Sequence, residues 1–170
     1  MIRFGRATRE FEAAVRAHSS DLFRYAYWLC RDRARAEDIV QEAFARAWKA
    51  WADLEDRAAV KAWLFSIVRN EHYRAFERKG LDLDDRDVEE LDLPVDHRMD
   101  EALDVRRALA ALPLSLREPL LLQVLGGLRC AEIAAALETT EGAVMTRLTR
   151  ARQTMRRLIE APGALDGVAR

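Results

Sequence analysis

The sequence is poor in cysteine, glycine and proline, has no excess of either charge, and contains no long apolar run. Its two cysteines, Cys30 and Cys130, are far apart and outside any CxxC spacing, which excludes a disulfide scaffold and a cysteine-rich zinc site. The three histidines, His18, His72 and His97, form no HExxH or comparable ligand spacing, so no metal site is expected. No stretch approaches the ~20 apolar residues of a membrane span, and the opening MIRFGRATREFE lacks the apolar core of a signal peptide. Lys and Arg number 28 against 29 Asp and Glu, which argues against a surface basic throughout but leaves local segregation open. No Ser/His/Asp set, Gly-rich phosphate loop or spaced carboxylate pair appears. The expectation is a reduced, soluble, cytoplasmic protein without direct membrane insertion, cofactor or small-molecule substrate, and not an enzyme.

What is present is a helical pattern. The chain has 170 residues, 50% of them hydrophobic, enough to fill one ordinary core or two small ones. With only 7 Gly and 4 Pro, and with Ala, Leu, Arg and Glu abundant, helix formers fill nearly every segment. The predicted fold class is all-α, with two small helical domains, residues 1–80 and 100–160, a linker over 81–99 and a tail over 161–170.

In the first domain, residues 8–17 predict a short helix around Phe11, Ala14 and Val15. Ser20 is a candidate cap for a second helix with Leu22, Phe23, Tyr25, Ala26, Leu29 and Cys30 inward. Ile39, Val40, Ala43, Phe44, Ala47, Trp48 and Trp51 recur at three and four, one helical stripe. Opposite them lie Glu37, Asp38, Gln41, Glu42, Arg46 and Lys49, taken alone an ordinary wet surface. Asp56 is placed to cap a helix reaching Lys79, with Val60, Trp63, Leu64, Ile67, Val68 and Phe76 inward. That helix interleaves bases and rings: Lys61, Phe65, Arg69, Asn70, His72, Tyr73 and Arg74. Phe65 and Tyr73 lie off its main apolar stripe, which suits a platform for single-stranded nucleic acid.

From Asp82 to Glu101 ten acids face two bases around Pro94, a composition that buries little and predicts a tether. Two roles stay open for it, a solvated spacer and a polyanion occupying a basic channel of a partner. Helical pattern resumes near Met99, breaks at Pro113, and restarts with a capping-box sequence at Ser115–Glu118. Residues 130–157 combine a short apolar helix (Ile133, Ala134, Leu137), a polar turn without glycine, and a second helix with Val144, Leu148 and Ala151 inward. This is helix-turn-helix spacing, whose second helix enters the major groove. Its outer face carries Thr146, Arg147, Thr149, Arg150, Arg152, Gln153 and Arg156, residue types able to reach bases or phosphate; the plain alternative is a solvated face. Both cysteines are expected to be buried small apolar residues, not a redox switch.

These motifs resemble a known family. Asp32 to Trp48 (DRARAEDIVQEAFARAW) resembles region 2.2 of the extracytoplasmic-function sigma factors, small members of the sigma-70 family. Ala62 to Asn70 (AWLFSIVRN) resembles their regions 2.3–2.4. Leu112-Pro113, Arg117-Glu118, Ala131 to Ala134 (AEIA) and Gly142 to Arg152 (GAVMTRLTRAR) resemble their region 4. The resemblance implies core RNA polymerase binding through Asp38, Gln41, Glu42 and Arg46. It implies capture of a promoter −10 element by the Leu54–Arg57 loop with Lys61, Phe65, Arg69, Asn70 and Tyr73. It implies reading of −35 duplex by Arg129, Thr146, Arg147, Thr149, Arg150 and Arg152. Many members carry a base where this chain has Met145, which implies a shifted −35 preference. The partners implied are core polymerase, promoter DNA and an anti-sigma factor. Alternatives are a sigma-mimicking decoy for such a factor, or a helix-turn-helix regulator acting without polymerase.

Overall fold

The computed structural model describes residues 2–79 and 99–160, and side chains over 5–77 and 103–160. The described residues form helices and turns without a strand: α1 (Ile2–Cys30), α2 (Arg33–Ala50), α3 (Val60–Lys79), α4 (Met99–Ala111), α5 (Leu114–Val124), α6 (Cys130–Ala136) and α7 (Glu141–Glu160). Two compact units result, one built on α1–α3 and the other on α4–α7. The acidic linker and the tail fall outside the described residues, apart from Met99, Asp100 and Glu101, which begin α4.

In the first unit α1 is one helix of 29 residues, where the sequence predicts two. Ser20 lies within it and caps nothing. The segment Ala17–Asp21 has no glycine or proline to stop a helix, and mid-helix serines cost only a few tenths of a kcal/mol each. The chain reverses at Arg31, whose φ of 55° is left-handed and whose amide donates to Tyr27 O at 2.7 Å. That conformation is unusual for a residue with a Cβ; the Arg31 guanidinium rests 4.7 Å from the Trp28 ring centroid. Asp32 then caps α2, its Oδ1 accepting the Arg35 amide at 3.0 Å. The predicted stripe of α2 is buried at Ile39, Val40, Ala43 and Ala47, while Trp48 is 42% exposed. Asp56 caps as expected, but through a 3-10 turn, Arg57–Ala59, that leads into α3; its Oδ1 accepts the Ala58 amide at 2.9 Å.

An aromatic cluster joins α1 to the C-terminal end of α2. Phe11 lies 5.2 Å from Trp48 and 5.1 Å from Trp51, Trp51 lies 6.1 Å from Trp63, and Arg57 stands 4.2 Å over Trp51. Deeper in the unit Leu22, Tyr25, Ala26, Leu64, Phe65 and Val68 are almost wholly buried. His72 is buried too, its ring 4.5 Å from Phe76. Cys30 is buried as expected, and burial pushes its thiol up to about 11, so the reactive thiolate is suppressed at neutral pH. Cys130, at the start of α6, is only half-buried, contrary to expectation.

The second unit closes around Ala108, Leu112, Leu121, Leu122, Ile133, Val144, Leu148 and Ala151. Helix α5 begins at Leu114, ahead of the predicted Ser115 cap. The Pro113 carbonyl accepts the Leu116 and Arg117 amides, both at 2.9 Å, and so satisfies the opening turn. Pro119 is accommodated inside α5, and the helix ends at Val124, just before Gly126 and Gly127; Gly127 takes a left-handed φ of 64°.

Candidate functional site

Helix α2 presents Asp38, Gln41 and Glu42 to solvent on one side, at three- and four-residue spacing. Arg46, predicted to share that face, has a second attachment: its Nε bonds to Glu71 Oε1 on α3. Glu71 also receives Arg74 Nη1 at 3.0 Å, and its side chain is 2% exposed. A buried carboxylate held by two half-exposed guanidiniums therefore ties the α2 wet face to α3. Glu71 is not among the residues that the sequence pattern predicts for the site. The signal for it is compositional: it is the one acid between Val60 and Phe76, in a stretch rich in bases.

Along α3 the predicted nucleic-acid residues divide. Asn70 is exposed. Arg69 stands 4.6 Å from the Tyr73 ring centroid, both half-exposed, a cation and ring already stacked beside that amide. Lys61 is half-buried with its Nζ 3.7 Å from Asp21 Oδ2 on α1, so its charge is partly used within the unit. Leu54 is half-buried in the turn before α3. Phe65 departs from the expectation. It is fully buried, 5.2 Å from Tyr25, and offers no ring to an outside base. It looked peripheral because it lies 100° from Leu64 on the helical wheel, but α3 packs against both α1 and α2 and so buries a wider arc than one stripe.

In the second unit the polar turn between α6 and α7 achieves the reversal without glycine. Glu138 takes the left-handed position with φ 51°, the Thr139 amide donates to Ala134 O at 3.0 Å, and Thr140 Oγ1 accepts the Ala143 amide at 3.2 Å to cap α7. Val144, Leu148 and Ala151 face inward as predicted. Thr146, Thr149, Arg150 and Arg152 are exposed and Arg147 is half-buried. Two of the predicted bases also bond within the unit. Arg152 donates to Gln123 Oε1 on α5. Arg129 precedes α6, where Glu132 accepts its amide at 2.7 Å and its Nε at 3.3 Å; those bonds hold the Glu132 carboxyl below the usual carboxylate range. The hydroxyls of Thr146 and Thr149 donate to the carbonyls of Gly142 and Met145, at 3.0 and 2.9 Å. Arg147 and Arg150 thus remain as the central cations of the helix. Among the described residues no His/Cys/Asp/Glu group is arranged to hold a metal, and no helix is long and apolar enough to cross a membrane.

Comparison with known proteins agrees with this geometry. The Sigma-70 region 2 family profile matches residues 14–81, and the Sigma-70, region 4 profile matches residues 102–155. The ECF RNA polymerase sigma factor SigL of Mycobacterium tuberculosis is 32% identical, over 96% of this chain and 98% of its own. The probable RNA polymerase sigma factor RfaY of Xanthomonas campestris is 36% identical over 91% of this chain, which spans 43% of the RfaY length. The solved structure of CnrH, in complex with the cytosolic domain of CnrY, matches with a TM-score of 0.65 at 27% identity, over 91% of this chain and 90% of its own. Two family regions in order on two helical units, with a relative matched over almost its whole length, place the chain in the sigma-70 family, among its extracytoplasmic-function sigma factors.

Proposed function

We propose that this sigma factor binds core RNA polymerase through the exposed Asp38, Gln41 and Glu42 face of α2, with Arg46 at its edge. The α1–α3 unit captures the −10 element as single strand through Asn70, Arg69 and Tyr73, with Lys61 and the Leu54 turn at the border. The α4–α7 unit reads −35 duplex by laying α7 in the major groove. Arg147 and Arg150 are its principal cations there, and Arg129 and Arg152 are set by their partners in the unit. The chain acts in the cytoplasm by assembly alone, with no catalytic chemistry of its own, and a protein partner of the anti-sigma kind holds it inactive. The match to CnrH, solved with the cytosolic domain of CnrY, supports that partner.

The observation that carries the reading is the two-faced character of α2 and α7. Each buries an apolar stripe in its own unit and turns a polar face outward; Arg46 and Arg152 on those faces bond within their units, while Asp38, Gln41, Glu42 and Arg150 project into solvent. The test is run-off transcription with core polymerase on a library of −35/−10 promoters. Failure to initiate from any of them, with folded protein that binds core, would remove the promoter reading.

Two sets of variants resolve the parts. Asp38→Lys and Glu42→Lys are expected to weaken core association about tenfold, ~1.4 kcal/mol, without a change in circular dichroism, because both side chains project into solvent. Unchanged affinity in folded variants would take this face away from the polymerase. Arg147→Ala and Arg150→Ala are each expected to cost −35 binding about 1–3 kcal/mol, with relaxed preference at one base pair where a base edge is read. If instead the side chain meets phosphate, binding falls evenly across sequences and the salt slope shrinks by about one.

A further inference from the structure

Helix α7 carries an exposed apolar side chain on the part of the helix that a major groove would receive. Met145 follows the first turn of α7 and is 57% exposed. The unit does not need it for packing, since Val144, Leu148 and Ala151 fill the inner face. The two threonines nearest it offer no hydroxyl proton to a ligand. Thr149 lies one turn further along the same side, and its hydroxyl donates to the Met145 carbonyl at 2.9 Å. Thr146, beside Met145, donates to the Gly142 carbonyl at 3.0 Å. A hydroxyl has one proton to give. Both threonines have committed theirs to the helix, so neither has a proton left to donate outward. The first turn of α7 holds an exposed acid, Glu141, one turn before Met145; between it and the cations Arg147 and Arg150 the outer side offers a thioether and no hydroxyl proton.

In the major groove each base pair shows a distinct pattern, and the one apolar feature is the C5 methyl of thymine. A methionine side chain is flexible and polarizable enough to settle against such a methyl, and it can neither donate to guanine nor pair with phosphate. We propose that Met145, flanked by Thr149, reads a thymine methyl group in the −35 duplex and so sets one position of the promoter preference. This rests on the reading above that α7 lies in the major groove.

The experiment uses holoenzyme assembled from core polymerase and the full chain. A preferred −35 duplex is selected from a randomised library, and each thymine in it is replaced singly by deoxyuridine, which keeps pairing and removes only the methyl. One replacement is expected to weaken binding about fourfold, the effect of losing one buried methyl group. Met145→Ala, checked for fold by circular dichroism, is expected to bind thymine and deoxyuridine duplexes equally at that position. A selected element without thymine overturns the proposal, as does binding indifferent to every deoxyuridine. Equal sensitivity in the wild type and Met145→Ala overturns the assignment to Met145. Holoenzyme that initiates but selects no −35 sequence at all defeats the major-groove reading itself, which separates that failure from the others.

Discussion

Phe65→Ala is expected to cost the α1–α3 unit about 3–5 kcal/mol, most or all of what a small domain has to lose. The ring is fully buried against Tyr25, in a layer with Leu22, Leu64 and Val68, and its removal leaves a cavity that rigid helices cannot close. Thermal unfolding of the full chain followed by circular dichroism is the measurement. Asn70→Ala supplies the contrast from the opposite side of the same helix. It should leave unfolding unchanged and lower permanganate reactivity of the −10 thymines in open complexes, with partial rescue on pre-melted templates. A Phe65→Ala protein that melts like the wild type but fails to open promoters would put the ring back in contact with DNA.

The second large effect is a loss of stability in acid. Burial lowers His72 from its ordinary 6.5 to about 4, with the nearby Arg69 charge pushing the same way. Between those values the unfolded chain binds a proton that the folded chain refuses, so stability rises with pH across the interval. The contribution is fully present above pH ~6.5 and is withdrawn as pH falls toward 4; the gap corresponds to about 3 kcal/mol. Urea unfolding between pH 7 and 4.5 should show the decline, and His72→Phe should flatten it by removing the titrating group while keeping a ring against Phe76. Parallel curves for the two proteins would mean that His72 takes up its proton in the folded state as easily as in the unfolded one.

Both effects lie on the inner arc of α3, the part of the molecule the sequence described least well. Where a helix meets its unit through one stripe, the periodicity is enough: Ile39, Val40, Ala43 and Ala47 on α2, and Val144, Leu148 and Ala151 on α7, were legible as the buried faces. Helix α3 contacts two neighbours, so its apolar arc widens to take in Phe65 and His72, and polarity ceases to mark what is outside. Glu71 shows the same limit from the other direction. Its buried site depends on Arg46, which only the folded chain brings near. The continuity of α1 was hidden because a serine is equally a cap signal and a tolerable interior residue; the lack of glycine or proline over Ala17–Asp21 permits a continuous helix without excluding a cap at Ser20. On α7 the sequence gives the face but not the use of its groups. That Arg152 turns to Gln123, and that both threonine hydroxyls turn to the helix, are outcomes of packing and rotamer choice.

The outer side of α7 has an evolutionary consequence. Met145, Thr146, Thr149 and Arg150 are exposed, and substitutions at such positions usually shift stability by no more than ~0.5 kcal/mol. A lineage can therefore exchange them one at a time without crossing the threshold at which the fold fails. Arg152 differs from them in also making an exposed hydrogen bond from α7 to Gln123 on α5. Duplicated copies of such a gene could diverge in the promoters they serve while their cores stay interchangeable, each new specificity being reached through intermediates that still fold.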